Sequence, residues 1–568
     1  MQPNPGSRDC YLNYSALTEK LHALADAHPD YLTLGSIGKS YEGREIWFLE
    51  LTNQATGPAS EKPALLLDGN IHAVELAASS AALHHVETML DRVNSDSDVR
   101  RCLDTRAFYV IPRVNPDGAE EALADQPRFL RSGTRPYFHS DGDQARMLTR
   151  DIDGDGRILT MRVKDPNGRW KMHPEDSRVM VPRDPVEVDG DYYRLFAEGS
   201  IENAEPDEIP PVRPREGVDF NRNWPSDWVT EGAQQGAGRY SLSEPETQAL
   251  AHFIAERPNI FTWIAGHTFS GVLLRPGFAT PDSAMPFTDL EHFKAVGQRG
   301  TELSDYPAMD AHSGFRINHG ESIHGSVEWG YQNFGIYTWI IEYWAPHQMA
   351  GVEIDNFARW FFDHPGEDDL KMVRWGDGVL GDAGFVDWYE YEHPDLGPVE
   401  IGGWDLIRTL YNPPAHMLDD VVAPFPEWFT WQLLQSPLLA FRSLEAEEIA
   451  SGQWKVRAVI ENTGYLPTFC SAQSLATKAV RGVQVSLELN DGAKLVQGRA
   501  TQSGGELSGR AFRASSALLA FLSDQSDDRC CVEWVVDAAE GQELTVCAAH
   551  DRAGKTVRSL RLGLAEAH

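Results

Sequence analysis

Residues 64–90 read ALLLDGNIHAVELAASSAALHHVETML. ALLLDGN is a short apolar run of buried-strand length, and the residues after Glu75 continue as a helix. His-x-x-Glu occurs twice, as His72 to Glu75 and as His84 to Glu87. A histidine and a carboxylate at that spacing can hold one zinc ion. His72 follows the strand directly, where open α/β sheets place their ligand crevice. His84 and Glu87 lie inside the helix, where i, i+3 neighbours read as a solvated pair. The first pair is therefore the metal candidate.

Working outward, the chain alternates helix and strand patterns on both sides of this unit. LNYSALTEKLHALADAH (12–28) has helical apolar spacing, EIWFLELT (45–52) alternates like a strand, and RAFYVIPRVNPDG (106–118) is an apolar run closed by a Pro-Asp-Gly turn. SLSEPETQALAHFIAERP reads as a capped helix, while NIFTWIAGHTFSGVLLRP and IYTWIIEYW each read as a strand. The alternation argues for an α/β sheet with helices on both faces. Residues 138–214, rich in Asp, Arg, Pro and Gly, read as an insertion. Residues 361–435 are aromatic-rich and irregular, with PEWFTWQLLQSPLLAF as a closing helix. From 436 to 568 short strands alternate with Gly/Asn/Asp turns, as in a small β-sandwich. The boundaries read this way are 1–435 and 436–568.

Bulk properties narrow the function classes. At 568 residues the chain is too long for one core. Its 50 basic and 85 acidic residues give −35, which disfavours nucleic acid and anionic membrane as partners. The charge serves solubility on the plain reading and attraction of basic substrates on the sharper one. No run is long enough to span a bilayer. MQPNPGSRDCYLNY has no basic region followed by an apolar run, so a cytoplasmic location is expected, with secretion left open should a leader precede this sequence. The six cysteines show no CxxC spacing and read as thiols, with a disulfide among the last four as the alternative.

Two ligands do not make a site. His267, in NIFTWIAGHTFSG, also ends an expected strand. Alone it reads as a core histidine; with His72 and Glu75 it completes a His, Glu, His set that leaves room for water at a catalytic zinc. GVDFNRNW places Asn221 and Arg222 together, a fork able to bind a carboxylate. Glu342 is the single carboxylate in the apolar strand IYTWIIEYW. It reads as a general base beside the metal or as a buried acid paired to an arginine.

The ordered series HAVE (72–75), NPDG (115–118), DFNRNW (219–224), SEPET (243–247), GHT (266–268) and GIYTWIIE (335–342) resembles the zinc carboxypeptidases of the carboxypeptidase A type, over roughly residues 10–360. The resemblance implies a mixed eight-stranded twisted sheet flanked by helices, followed here by the all-β sandwich. It also implies one catalytic zinc in a funnel and removal of C-terminal residues from peptides or proteins. It makes His72, Glu75 and His267 the zinc ligands and Glu342 the general base that activates water at the zinc. Asn221 and Arg222 become the clamp for the substrate's terminal carboxylate. Arg131 aligns with the arginine that polarises the scissile carbonyl, with Arg135 competing. Val327 aligns with the residue that sets side-chain preference and points to apolar C-terminal residues, with Glu328 beside it leaving a basic preference open. The substrate-capping tyrosine falls near HGESIHGS (319–326), which contains none; His319 or His324 is the stand-in. Val74 replaces an arginine that would anchor extended substrates.

The insertion carries its own candidate. Asp151, Asp153 and Asp155 alternate before Gly156, as in a calcium loop, but Arg162 stands where the closing Glu belongs. Asp165 or Glu175 would have to complete a calcium site; an Asx-turn loop without metal is the alternative. The rivals to a carboxypeptidase are a zinc amidase or peptidase on a specialised substrate such as a cell-wall peptide, and a zinc-binding interaction protein without catalysis.

Overall fold

The structure is a computed structural model that describes residues 11–137, 145–205, 208–212, 214–277, 281–315, 325–490, 492–512 and 525–563. His319 and His324 lie outside the described residues. The main sheet has eight strands: β1 (Leu32–Lys39), β2 (Glu45–Leu51), β3 (Ala64–Gly69), β4 (Ala107–Ile111), β5 (Ile260–Thr268), β6 (Val272–Arg275), β7 (Ala308–Asp310) and β8 (Tyr337–Tyr343). Their spatial order is β1-β2-β4-β3-β5-β8-β6-β7. The centre, β4-β3-β5-β8, is parallel, and antiparallel pairings of β1 with β2, β2 with β4, and β6 with β8 make the sheet mixed.

Strands β3, β5 and β8 are buried along their whole length. That follows from their near-continuous apolar sequences, since helices cover both faces of a parallel sheet. Helix Leu76–Arg92 and helix Phe425–Leu434 pack one face around Leu65, Leu67, Ile264 and Trp428. Helix Pro245–Ala255 with Phe220, Trp224 and Trp329 covers the other around Leu66 and Trp263. Truncating a buried leucine such as Leu66 to alanine costs about 2–5 kcal/mol.

Three local expectations are corrected. NPDG is a helix start: the Asn115 side chain accepts from Gly118 N at 3.0 Å, Pro116 takes the first position, and the helix runs Pro116–Leu123. NIFTWIAGHTFSGVLLRP is two strands, β5 and β6, with a reversal at Phe269–Gly271. Gly271 has φ +61° there, and a Cβ on it would fall 2.3 Å from the Ala345 Cβ, so the turn needs glycine. Helix Pro245–Ala255 starts on Pro245 without a side-chain cap.

The insertion is built as a sheet, and the segment 361–435, read as irregular, contributes a hairpin to it. Its strands 160–164, 170–172, 180–182 and 193–197 join a hairpin of 386–393 and 397–403 in one six-stranded antiparallel sheet. The segment after residue 361 therefore shares a core with the insertion, through Met161, Val399 and Ile401.

From Leu439 the chain forms two four-stranded antiparallel sheets packed around Val456, Ile460, Val485 and Trp534, a β-sandwich. It is fastened to helices packed on the main sheet by buried polar groups. The Arg552 guanidinium donates to Gly335 O at 3.1 Å and to Phe334 O. Asp289, on helix Phe287–Ser304, accepts from Ala472 N (2.7 Å) and Gln473 N (3.0 Å). Cys470, Cys530, Cys531 and Cys547 are free thiols. Among the described residues no helix is long and apolar enough to cross a membrane.

Candidate active site and metal centre

The carboxyl ends of β3, β5 and β8 deliver the site. Gly69 is in register with Gly266, and His267 with Glu342. His72 lies three residues past β3, while His267 and Glu342 lie near the ends of β5 and β8. Three residues remote in sequence thus arrive at one sheet edge.

There His72 Nδ1 is 2.8 Å from Glu75 Oε1, His267 Nδ1 is 2.9 Å from Glu75 Oε2, and the two Nδ1 atoms are 3.1 Å apart. All three side chains are 2% exposed. Two imidazoles and a carboxylate converging out of water match the donor set of a zinc site with an open position. Burial alone would push the Glu75 carboxyl up, but His72 and His267 outweigh it and hold it well below the usual range. Burial lowers His267, against the pull of Glu75, and so favours the neutral imidazole that a metal requires. Glu342 Oε2 is buried without a hydrogen-bond partner among the described residues. Burial, and then the Glu75 charge, push this carboxyl well above its ordinary value.

Asp219 organises the next layer. Its Oδ1 is 3.2 Å from His72 Nε2 and accepts from Asn221 N at 2.7 Å. Its Oδ2 accepts from Arg131 Nε at 3.0 Å. A carboxylate on the far ring nitrogen fixes the orientation of a ligand histidine. Despite burial, Arg131, Arg222 and His72 hold Asp219 well below its usual value. Sequence reading assigned Asp219 no role; its only signal was its place in DFNRNW.

Asn221 and Arg222 face the same cavity as the metal donors, about 250 Å³ in volume. The Asn221 Oδ1 accepts from both Ser326 N and Ser326 Oγ at 2.9 Å, which leaves its amide N–H groups for a ligand. Arg131 is on the cavity, with its side chain 44% exposed. Arg135 is not: it lies 3.6 Å from Glu244 and over the Tyr41 ring. Val327 is fully buried behind Leu274 and Ile340, and these two line the cavity in its place. Glu328 is 2% exposed and its Oε2 accepts from Gly325 N. Sequence reading also missed Phe357, Phe361 and Tyr411, which line the cavity from the segment after β8.

The second His-x-x-Glu does not assemble. Glu87 pairs with Lys20 at 2.8 Å. In the insertion, Asp151 accepts from Gly154 N and Gly156 N, Asp153 from Asp155 N, and Asp155 from Arg157 N. The Asp153 and Asp155 bonds are Asx turns, and the Asp151 carboxylate spans the loop to the two glycine amides. Glu198, not Asp155, joins Asp151 and Asp153 in a group whose carboxylate oxygens lie within 4.8 Å of one another. Arg162 pairs with Glu400 at 2.9 Å, and Asp165 with Arg194.

Comparison with known proteins adds to this geometry. The zinc carboxypeptidase family matches residues 17–359, and a domain of unknown function matches 438–561. A zinc carboxypeptidase of Saccharothrix mutabilis subsp. capreolus is 31% identical over 145 residues, 24% of this chain and 33% of that protein. Human carboxypeptidase A6 is 22% identical over 351 residues, 59% of this chain and 60% of that protein. The chain thus spans a third to three fifths of the length of these two relatives. The crystal structure of carboxypeptidase A from Helicoverpa armigera is 19% identical, with a TM-score of 0.40, over 66% of this chain and 75% of that one. With its family match covering the main sheet and every metal donor, this chain belongs to the zinc carboxypeptidase family.

Proposed function

We propose that the chain hydrolyses the C-terminal peptide bond of peptides or proteins, with zinc held by His72, Glu75 and His267. The observation that carries this reading is the sharing of one cavity. The three metal donors, the Glu342 carboxylate, whose Oε2 has no hydrogen-bond partner among the described residues, and the Asn221/Arg222 donors all open into it. When bound, zinc supplies Lewis-acid polarisation of the scissile carbonyl and of water.

The chain's own groups do the rest. Arg222 and the Asn221 amide bind the terminal carboxylate, which sets the last peptide bond against the metal donors. Glu342 takes a proton from the attacking water and returns it to the leaving amine. Arg131 steadies the carbonyl oxygen as charge grows on it. Leu274, Ile340 and Phe357 offer the terminal side chain an apolar wall, so aliphatic and aromatic C-termini are preferred.

The test compares a zinc-loaded sample on a peptide with a free C-terminal acid and on the same peptide as its amide. The acid should lose its last residue and the amide should resist. Glu342→Gln should bind zinc normally and cleave neither. Equal turnover of acid and amide would refute the clamp, and full activity of Glu342→Gln would refute the base.

A further inference from the structure

The family match ends at residue 359, yet the cavity it encloses is completed by later residues. Tyr411 is the last residue of the turn of π-helix Leu406–Tyr411 and lines the cavity with the metal donors, Arg131 and Glu342. Its ring is wedged between Phe129 (centroids 5.3 Å) and Phe269 (4.9 Å), both edge-on. Phe269 follows Thr268, so the ring is braced against the end of the strand that carries His267.

The next residue fixes the backbone to the metal loop. Asn412 is fully buried; its Nδ2 donates to Val74 O at 2.7 Å and its Oδ1 accepts from Ala77 N at 2.8 Å. These two groups bracket Glu75. Trp344 Nε1 donates to Thr409 O at 2.8 Å, tying the same turn to the end of the Glu342 strand. The turn is thus bonded to both segments that carry the reacting groups, a degree of preorganisation that a spectator aromatic does not need.

We propose that Tyr411 is a catalytic residue of this site, whose phenol donates a hydrogen bond to the scissile carbonyl oxygen as that oxygen becomes negative. The proposal rests on the carboxypeptidase reading above. In the step, the water oxygen bonds to the carbonyl carbon, the C=O π pair moves onto oxygen, and Glu342 takes the water proton. The C–N bond then breaks and the amine receives that proton; Tyr411 keeps its own throughout. Burial, opposed by Arg131 and aided by Glu75 and Glu342, pushes the phenol up to about 12, so it remains a donor at working pH.

The experiment is Tyr411→Phe, which keeps the ring contacts and removes the hydroxyl. On a free-acid peptide, kcat should fall roughly 100-fold with KM within about twofold, the range for loss of one oxyanion donor. A phosphonate peptide analogue, which carries the tetrahedral oxygen, should bind weaker by the same factor, while the product amino acid binds as in wild type. A wild-type kcat would overturn the proposal, as would phosphonate and product weakening together. If zinc-loaded wild type does not cleave the free-acid peptide at all, the carboxypeptidase reading fails before this one is reached.

Discussion

His85 stands beside the discarded His84 in the second His-x-x-Glu, and its role is a stability liability that can be measured. It is fully buried on helix Leu76–Arg92, edge-on to Phe108 at 4.4 Å and Phe429 at 5.2 Å. Among the described residues neither ring nitrogen has a hydrogen-bond partner. Burial, and then the neighbouring His84, lower its pKa from 6.5 to about 3. The folded state therefore holds the ring neutral while the unfolded chain protonates it below pH 6.5. Stability from this group is present above that value and is lost as the pH falls toward the folded pKa. Between pH 7 and pH 5 the unfolded state gains about 2 kcal/mol from that one proton, and the folded state almost nothing.

His85→Leu removes the titration and replaces two unmatched polar atoms with methyl groups among phenyl rings. At pH 8 the variant should equal or exceed wild type, by about 1–2 kcal/mol, because a buried polar group without a partner costs that much. The gap should widen by about 2 kcal/mol more at pH 5. Urea unfolding followed by circular dichroism at both pH values reads the difference directly, and the comparison cancels the general effect of acid on a chain of charge −35. A variant less stable than wild type at pH 8, with the same change between pH 8 and pH 5, would refute the reasoning.

Other outcomes follow from the same geometry. Arg222→Met should lower kcat/KM on free-acid peptides by about 3 kcal/mol, roughly 150-fold, with zinc content unchanged, because it removes a charge-assisted clamp; steady-state kinetics check it. Asp219→Asn should weaken zinc binding by roughly 10- to 100-fold through the lost support of His72, read by competition with a chelating dye. Arg552→Met should destabilise the whole chain by about 2–4 kcal/mol, because it strands the carbonyls of Phe334 and Gly335 between the sandwich and the helices of the main sheet. Urea midpoints measure it, and an unchanged midpoint would mean that the sandwich is not a structural buttress.

The legible part of this molecule was what a local pattern can carry. ALLLDGN, IFTWIAGHT and IYTWIIE announce buried parallel strands through unbroken apolar runs, and a histidine or glutamate at or near the end of such a run must face the crevice. For that reason His72, His267 and Glu342 could be placed together although some 270 residues separate the first from the last. The split at Gly271 had one local signal, the Ser270-Gly271 pair, set inside a run that VLLRP continues; the close approach of Ala345 shows why that position must be glycine.

What stayed hidden depends on contacts across long sequence distances. Strand 160–164 pairs with 397–403, and neither sequence names the other. The resemblance assigns Val327 to a wall that Leu274 and Ile340 occupy, since burial behind a neighbour leaves no mark on spacing. The cavity was the hardest part to foresee. Part of its lining is the sheet edge, which the motifs encode, but Phe357, Phe361 and Tyr411 complete it, and Tyr411 is followed by Asn412, which is bonded to the backbone of the His-x-x-Glu loop. An asparagine that donates to two carbonyls and accepts from one amide has no sequence signature. It nonetheless ties the turn that presents Tyr411 to the loop that carries Glu75, so the cavity around the metal donors draws on residues as far as 411, beyond the segment that carries the family's motifs.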